Sequence, residues 1–163
     1  MINAKAQWLS VYQRENATTL KVMRAYPAAK PDFQPHPISG TAKRLMWTFV
    51  IEQTVIEGAV DGTLTMPPKF PEELGTIAEV IAAFEKTANT VQQKVAAMPD
   101  DRMDAMIRFF TGPGTLADVP LAQIMWLMLL DSVHHRGQLS VYLRMTGGKV
   151  PSIYGPSHDE PWM

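Results

Sequence analysis

The side chains with the most chemical potential lie in one stretch, Asp131-Ser132-Val133-His134-His135-Arg136-Gly137-Gln138. Asp131 and His135 are four residues apart, so on a helix they sit one above the other. A carboxylate and an imidazole at that spacing can both reach one metal ion, as two histidines do in helical zinc motifs. Thr48 and Glu52 repeat the spacing on an earlier segment, where Leu45, Val55 and Ala59 mark an interior seam. If the two segments face each other, Glu52, Thr48, Asp131 and His135 converge, and inward carboxylates are a recurrent way for helix bundles to build metal sites. The competing readings are structural: Asp131 orients or ion-pairs His135 or His134, and Glu52 faces solvent or pairs with Lys43 or Arg44. Spacing alone leaves both open.

The rest of the chain narrows the chemistry. There is no cysteine, which excludes disulfides, a thiolate nucleophile, iron–sulfur ligation and cysteine-bearing zinc motifs. Any metal then depends on carboxylates and four histidines. His36 falls in the loop Pro35-His36-Pro37, exposed or capping the next helix, and His158 reads as a solvated tail residue. His134 is turned about 100° from His135, towards a helix contact or the tail. Ser132 and Ser140 lack a G-x-S-x-G elbow, and Gly147-Gly148-Lys149 lacks Walker spacing. The eleven methionines read as adaptable core filler. Along the face Ile124, Leu127, Asp131, His135, Gln138, Tyr142, apolar residues give way to polar ones. An interior polar run of this kind needs mutual pairing or a ligand.

Positioning these groups requires a scaffold, and the chain describes one. Its 163 residues suit a single domain over 1–163, with 46% apolar and 19% charged residues. Fifteen basic against sixteen acidic residues give a net charge of −1, without the basic excess that nucleic-acid binding requires. No window reaches 18 uninterrupted apolar residues, so the chain reads as soluble, with no membrane partner and a cytoplasmic location. Helical periodicity predicts helices over about Asn3–Ala25, from a Ser39 or Thr41 cap to about Val60, over about Glu72–Ala97, and over about Leu121–Met145. Residues 102–120 are ambiguous: 102–110 read as either a short extended run or a helical turn, Gly112-Pro113-Gly114 makes a loop, and no β-rich block is expected. The Pro- and Gly-rich tail is expected to be irregular and to pack back through Val150, Ile153, Tyr154 and Trp162. The fold class is all-α, a four-helix bundle.

The run Asp131-x-x-His134-His135-Arg136-Gly137-Gln138-Leu139-x-x-Tyr142-Leu143-Arg144, followed by Gly147-Gly148-x-Val150-Pro151-x-Ile153-Tyr154-Gly155-Pro156-Ser157, resembles the DNA-damage-inducible DinB-like family of metal-dependent enzymes and stress-response proteins. Leu45–Val50 and Pro35-His36-Pro37 are similar to their counterparts there. The resemblance implies an up-down-down-up bundle, pairing into a homodimer, and a metal site of three histidines. Carried over by position, His135 matches the last ligand, Asp131 the earlier ligand on the fourth helix, and Thr48 the ligand on the second. Two readings follow. In one the site is degenerate and metal-free or weakly metal-binding, with Asp131, His135, Gln138 and Tyr142 in a closed polar network. In the other a divalent metal (Zn, Ni, Mn or Fe) is held by Glu52, Asp131 and His135, in an enzyme such as a transferase using a low-molecular-weight thiol.

Overall fold

A computed structural model describes residues 3–163. Asn3 accepts a hydrogen bond from the Ala6 amide and starts helix α1, Ala4–Ala25, which ends before the first proline cluster. Thr41 caps α2, Ala42–Asp61, and Gly62, at φ 73°, ends it in the left-handed conformation that glycine adopts without strain. Helix α3 spans Ile77–Ala97, starting later than the expected Glu72. The shift has a local cause: Thr76 and Glu79 form a reciprocal capping box that fixes the first turn there. Helix α4, Leu121–Met145, has the expected bounds.

Between α3 and α4 the two alternatives for residues 102–110 both occur in turn, a helical turn and then an extended strand of a minor two-stranded sheet. A 3-10 turn at Asp100–Asp104 leads into an antiparallel hairpin, β1 Met106–Gly112 and β2 Thr115–Pro120, turning at Pro113-Gly114 with Gly114 at φ 69°. Only Phe109 on β1 and Val119 on β2 are buried, so the alternating signal is a single residue per strand and is weak in the sequence.

Helix α1 packs on α3 and α4, and α2 packs on the same two, leaving α1/α2 and α3/α4 as diagonals. Lys43 reaches the Gly75 carbonyl, Phe49 meets Phe84, and Lys94 pairs with Glu57, so α2 and α3 run parallel. Tyr142 donates to the Gly40 carbonyl while His135 meets Glu52, so α2 and α4 are antiparallel. Lys5 near Met98 and Arg24 near Glu85 make α1 antiparallel to α3. The order is up-down-down-up, and residues 62–76 carry the chain back along the bundle.

The core is split into two apolar clusters. One holds Trp8, Tyr12, Val55, Ile56, Val91, Leu121 and Met125; the other holds Val22, Met23, Phe49, Phe84, Leu139 and Leu143. At the height between them lies a buried polar layer of Glu15, Asn16, Thr19, Glu52, Gln53, Ser132 and Arg136. The innermost line of α4 is Leu121, Met125, Leu129, Ser132, Arg136, Leu139, Leu143. The expected seam through Leu127, Asp131 and His135 therefore lies to one side: Leu127 is 45% exposed, and His135 is turned towards α2. The tail lacks regular structure and is tied down by Arg144–Asp159 and Lys21–Glu160 ion pairs. Val150 and Ile153 are half-buried, and Tyr154, though largely exposed, packs back with its ring over Arg136 and its hydroxyl on Glu15, whereas Trp162 stays exposed and donates to Ser152 within the tail. Among the described residues no helix is long and apolar enough to cross a membrane.

Candidate metal centre

Helix α2 presents Glu52 to α4 because Leu45, Val55 and Ala59 hold the same seam against the core. Glu52 is 2% exposed, which excludes the solvent-facing alternative, and Lys43 and Arg44 pair instead with Glu73. A buried carboxylate needs compensating partners. Glu52 Oε2 accepts from the Ser132 hydroxyl, and Oε1 lies 2.8 Å from His135 Nδ1. Asp131, one helical turn before His135, brings Oδ1 to 3.9 Å from the same nitrogen while keeping 43% of its side chain exposed.

Burial pushes the Glu52 carboxyl above its usual range, against the lowering effect of hydrogen bonds from His135 and Ser132. The hydrogen bond to Glu52 raises His135 above an ordinary imidazole, outweighing its partial burial. The neighbouring Asp131 carboxylate adds a smaller upward push to both groups.

Among the described residues, Glu52, Asp131 and His135 are the group able to hold a metal, with one ligand atom from each within 4.8 Å of the others. Thr48 does not join them as a donor partner: its hydroxyl donates to the Arg44 carbonyl, one turn back on α2. His36 is exposed, its Nδ1 accepting from the Ile38 amide, and His158 is exposed on the tail. His134 is exposed and bonded to Gln138 at 2.9 Å, rather than facing another helix or the tail. Tyr142 binds the Gly40 carbonyl. The expected network of Asp131, His135, Gln138 and Tyr142 is thus corrected: Gln138 and Tyr142 share that side of α4 but lie further along it, where their partners are His134 and the Gly40 carbonyl.

Ser132 completes the cluster. Its small side chain and position one residue after Asp131 placed it on the inner line of α4, and the seam at 121, 125 and 129 was the signal that could have found it. A second buried group also escaped sequence reasoning. Arg136 is 1% exposed and binds Glu15 Oε2 at 2.8 Å and the Glu15 carbonyl at 3.1 Å. The Tyr154 hydroxyl donates to the same Glu15 carboxylate. Beyond Thr48, a groove of about 480 Å3 continues along α2 and α4, lined in part by Ser39, Arg44, Thr48 and Gln138.

The DinB family model matches residues 1–162. The chain is 28% identical over 123 residues to the uncharacterized protein YrdA of Bacillus subtilis (strain 168), covering 74% of this chain and 70% of that one. Its fold is similar to that of a DinB-like protein from Bacillus cereus ATCC 10987, at a TM-score of 0.75 and 18% identity, covering 90% of this chain and 95% of the other. A DinB-like protein of Bacillus subtilis, YjoA, gives a TM-score of 0.71 at 16% identity, covering 88% and 94%. With the up-down-down-up bundle and a family model spanning nearly all of its length, the chain belongs to the DinB family.

Proposed function

We propose that the protein binds one divalent metal ion through Glu52, Asp131 and His135, a DinB-family site in which carboxylates have replaced imidazoles. The observation carrying this reading is the convergence of three ligand atoms within 4.8 Å, from two facing helices, with Asp131 half in solvent. Ligands about 2.1 Å from a shared ion lie roughly 3.0–3.4 Å apart at octahedral or tetrahedral angles. The 2.8 Å and 3.9 Å separations to His135 Nδ1 fall on either side of that range. Two carboxylates and one imidazole make a donor set that suits Mn or Fe as readily as Zn or Ni. A divalent ion held there would supply Lewis acidity and would favour the deprotonated form of a ligated water or thiol.

The chain's own residues supply the rest. Ser132 fixes Glu52 so that Oε1 faces the cluster, and Asp131 closes it from the solvent side. A groove lined in part by Thr48, one helical turn before Glu52, and by Gln138 gives a small molecule room on that side of the bundle. On this basis the activity we propose is thiol-dependent transfer, in the cytoplasm, where low-molecular-weight thiols stay reduced. The homodimer is part of the same proposal, supported by outward-facing Leu127, Leu130, Val141 and Met145 on α4; sedimentation showing a monomer at tens of micromolar would remove it.

A metal-free reading has its own support, because both Glu52 oxygens already have partners in Ser132 and His135. One experiment separates the two: metal analysis of untagged protein, with melting measured against added Zn, Ni, Mn or Fe. The metal reading expects stoichiometric binding and a rise in Tm that His135→Ala abolishes. No bound metal and no shift would leave the metal-free network standing.

A further inference from the structure

We infer that the groove between α1 and α3, on the opposite side of the bundle from Glu52, Asp131 and His135, binds one small neutral ring bearing an amide edge, with Asn16 as the group that recognises it. The site shares no residue with the metal centre and does not rest on the metal reading. The groove holds about 220 Å3. It exists because Ala17 on α1 and Ala88 on α3 place methyl groups where longer side chains would close the seam. Leu20 and Phe84 give it apolar walls, and four carboxamides, Gln13, Asn16, Asn89 and Gln92, complete most of the lining. Its one charged side chain, Glu85, is held by Arg24 at 2.6 Å. An ion entering the groove meets no free counter-charge, so the lining favours a neutral molecule. A cavity of roughly 150 Å3 accepts benzene, so this volume suits one substituted six-membered ring. Asn16 supplies the specific contact. It is 8% exposed, its Oδ1 accepts from Gln53 Nε2 at 3.4 Å, and its Nδ2 is buried with no hydrogen-bond partner. The Tyr12 hydroxyl beside it donates to Gln53 and to the Ala88 carbonyl. A buried amide donor without an acceptor is costly, and a carbonyl on a bound ring would satisfy it. Carboxamides pair with a ring edge that carries a donor and an acceptor side by side, as Asn and Gln do with adenine.

Uracil and 1,3-dimethyluracil share a ring and its carbonyls and differ in the N–H donors that complete the amide edge. Each would be titrated into the full-length protein with no metal added, followed by backbone and side-chain amide signals in 15N NMR spectra. Uracil is expected to bind with a Kd of about 1 mM or tighter. It should move the side-chain signals of Asn16, Asn89 and Gln92 and leave that of Gln138, on α4, in place. The dimethyl compound should bind about tenfold more weakly, because carboxamide oxygens that accept from uracil are left unpaired. Asn16→Leu, apolar and of similar size, should abolish the uracil shifts. Ala17→Met, at an exposed position, should abolish them by filling the groove while the Asn16 amide stays intact, and it carries the test if Asn16→Leu does not fold. Gln7→Leu, exposed on α1 outside the groove, should leave binding unchanged. Absence of uracil binding, equal affinities for the two compounds, or shifts that survive either folded groove variant would overturn the inference.

Discussion

Ser132 decides how Glu52 behaves. A carboxylate that is 2% exposed has few ways to be satisfied, and Ser132 supplies the donor to the oxygen that faces away from His135. Ser132→Ala leaves that oxygen buried and unpaired, which costs about 1–3 kcal/mol in urea denaturation. It also frees the carboxylate to rotate, so metal affinity is expected to fall roughly 10–100-fold, as it does when partners behind metal ligands are removed. Unchanged metal affinity in Ser132→Ala would show that Glu52 is oriented by packing alone. The sequence carries Asp131, His135 and Glu52 in its spacing, because i, i+4 pairs and a heptad seam are local properties. Ser132 escapes such reasoning: its role depends on the rotation of α4, and that was misplaced by reading Leu127 as interior.

Helices, by contrast, were legible where their ends carry strong chemistry. Thr41 and Gly62 bracket α2, and Gly147, at φ 82°, follows α4, each for a backbone reason visible in one chain. The start of α3 was also encoded, in Thr76 and Glu79, but it competed with a helical composition that begins at Glu72. The hairpin was legible only as an extended alternative over 102–110, because each strand buries only one residue. The tail shows the remaining limit, since Tyr154 acts on Glu15, 139 residues away in sequence.

That tether gives a pH-dependent test of the tail. Burial favours the neutral form of Glu15, but hydrogen bonds from Tyr154 and Arg136 outweigh it and hold the carboxyl below its ordinary value. A lowered folded-state pKa contributes stability above the unfolded carboxyl value, near ~4.3, and that contribution is lost as pH falls through the folded value. Tyr154→Phe retains the ring that stacks 5.2 Å from the Arg136 guanidinium carbon and removes only the hydroxyl. The variant should be about 1 kcal/mol less stable at pH 7, with the gap closing below pH ~4. A gap that is constant from pH 7 to pH 3 would mean that the hydroxyl does not act through Glu15.

At the scale of the whole molecule, the polar layer divides what could have been one continuous apolar core. Glu15 with Arg136 and Glu52 with His135 both lie in this layer, one towards α1 and one towards α2. The two pairs differ in what they serve. Arg136 is closed in by Glu15, Thr19 and Tyr154, while the Glu52 side opens through Asp131 to solvent. Replacing a buried charged cluster with apolar groups of similar volume is often neutral or stabilising by about 1–4 kcal/mol. If the Glu52 cluster is retained for binding rather than for folding, the triple variant Glu52→Leu, Ser132→Ala, His135→Leu should melt at or above the metal-free protein. It should also lose all response to added metal. Saturating metal should then raise the unmodified protein by RT ln(1 + [L]/Kd), about 2.7 kcal/mol at a hundredfold excess over Kd. The order of stability would be metal-free protein, at or below the triple variant, with the metal-loaded protein regaining stability through binding. A triple variant that melts below the metal-free protein would instead assign the cluster to the bundle, as the pairing that fixes how α2 sits against α4.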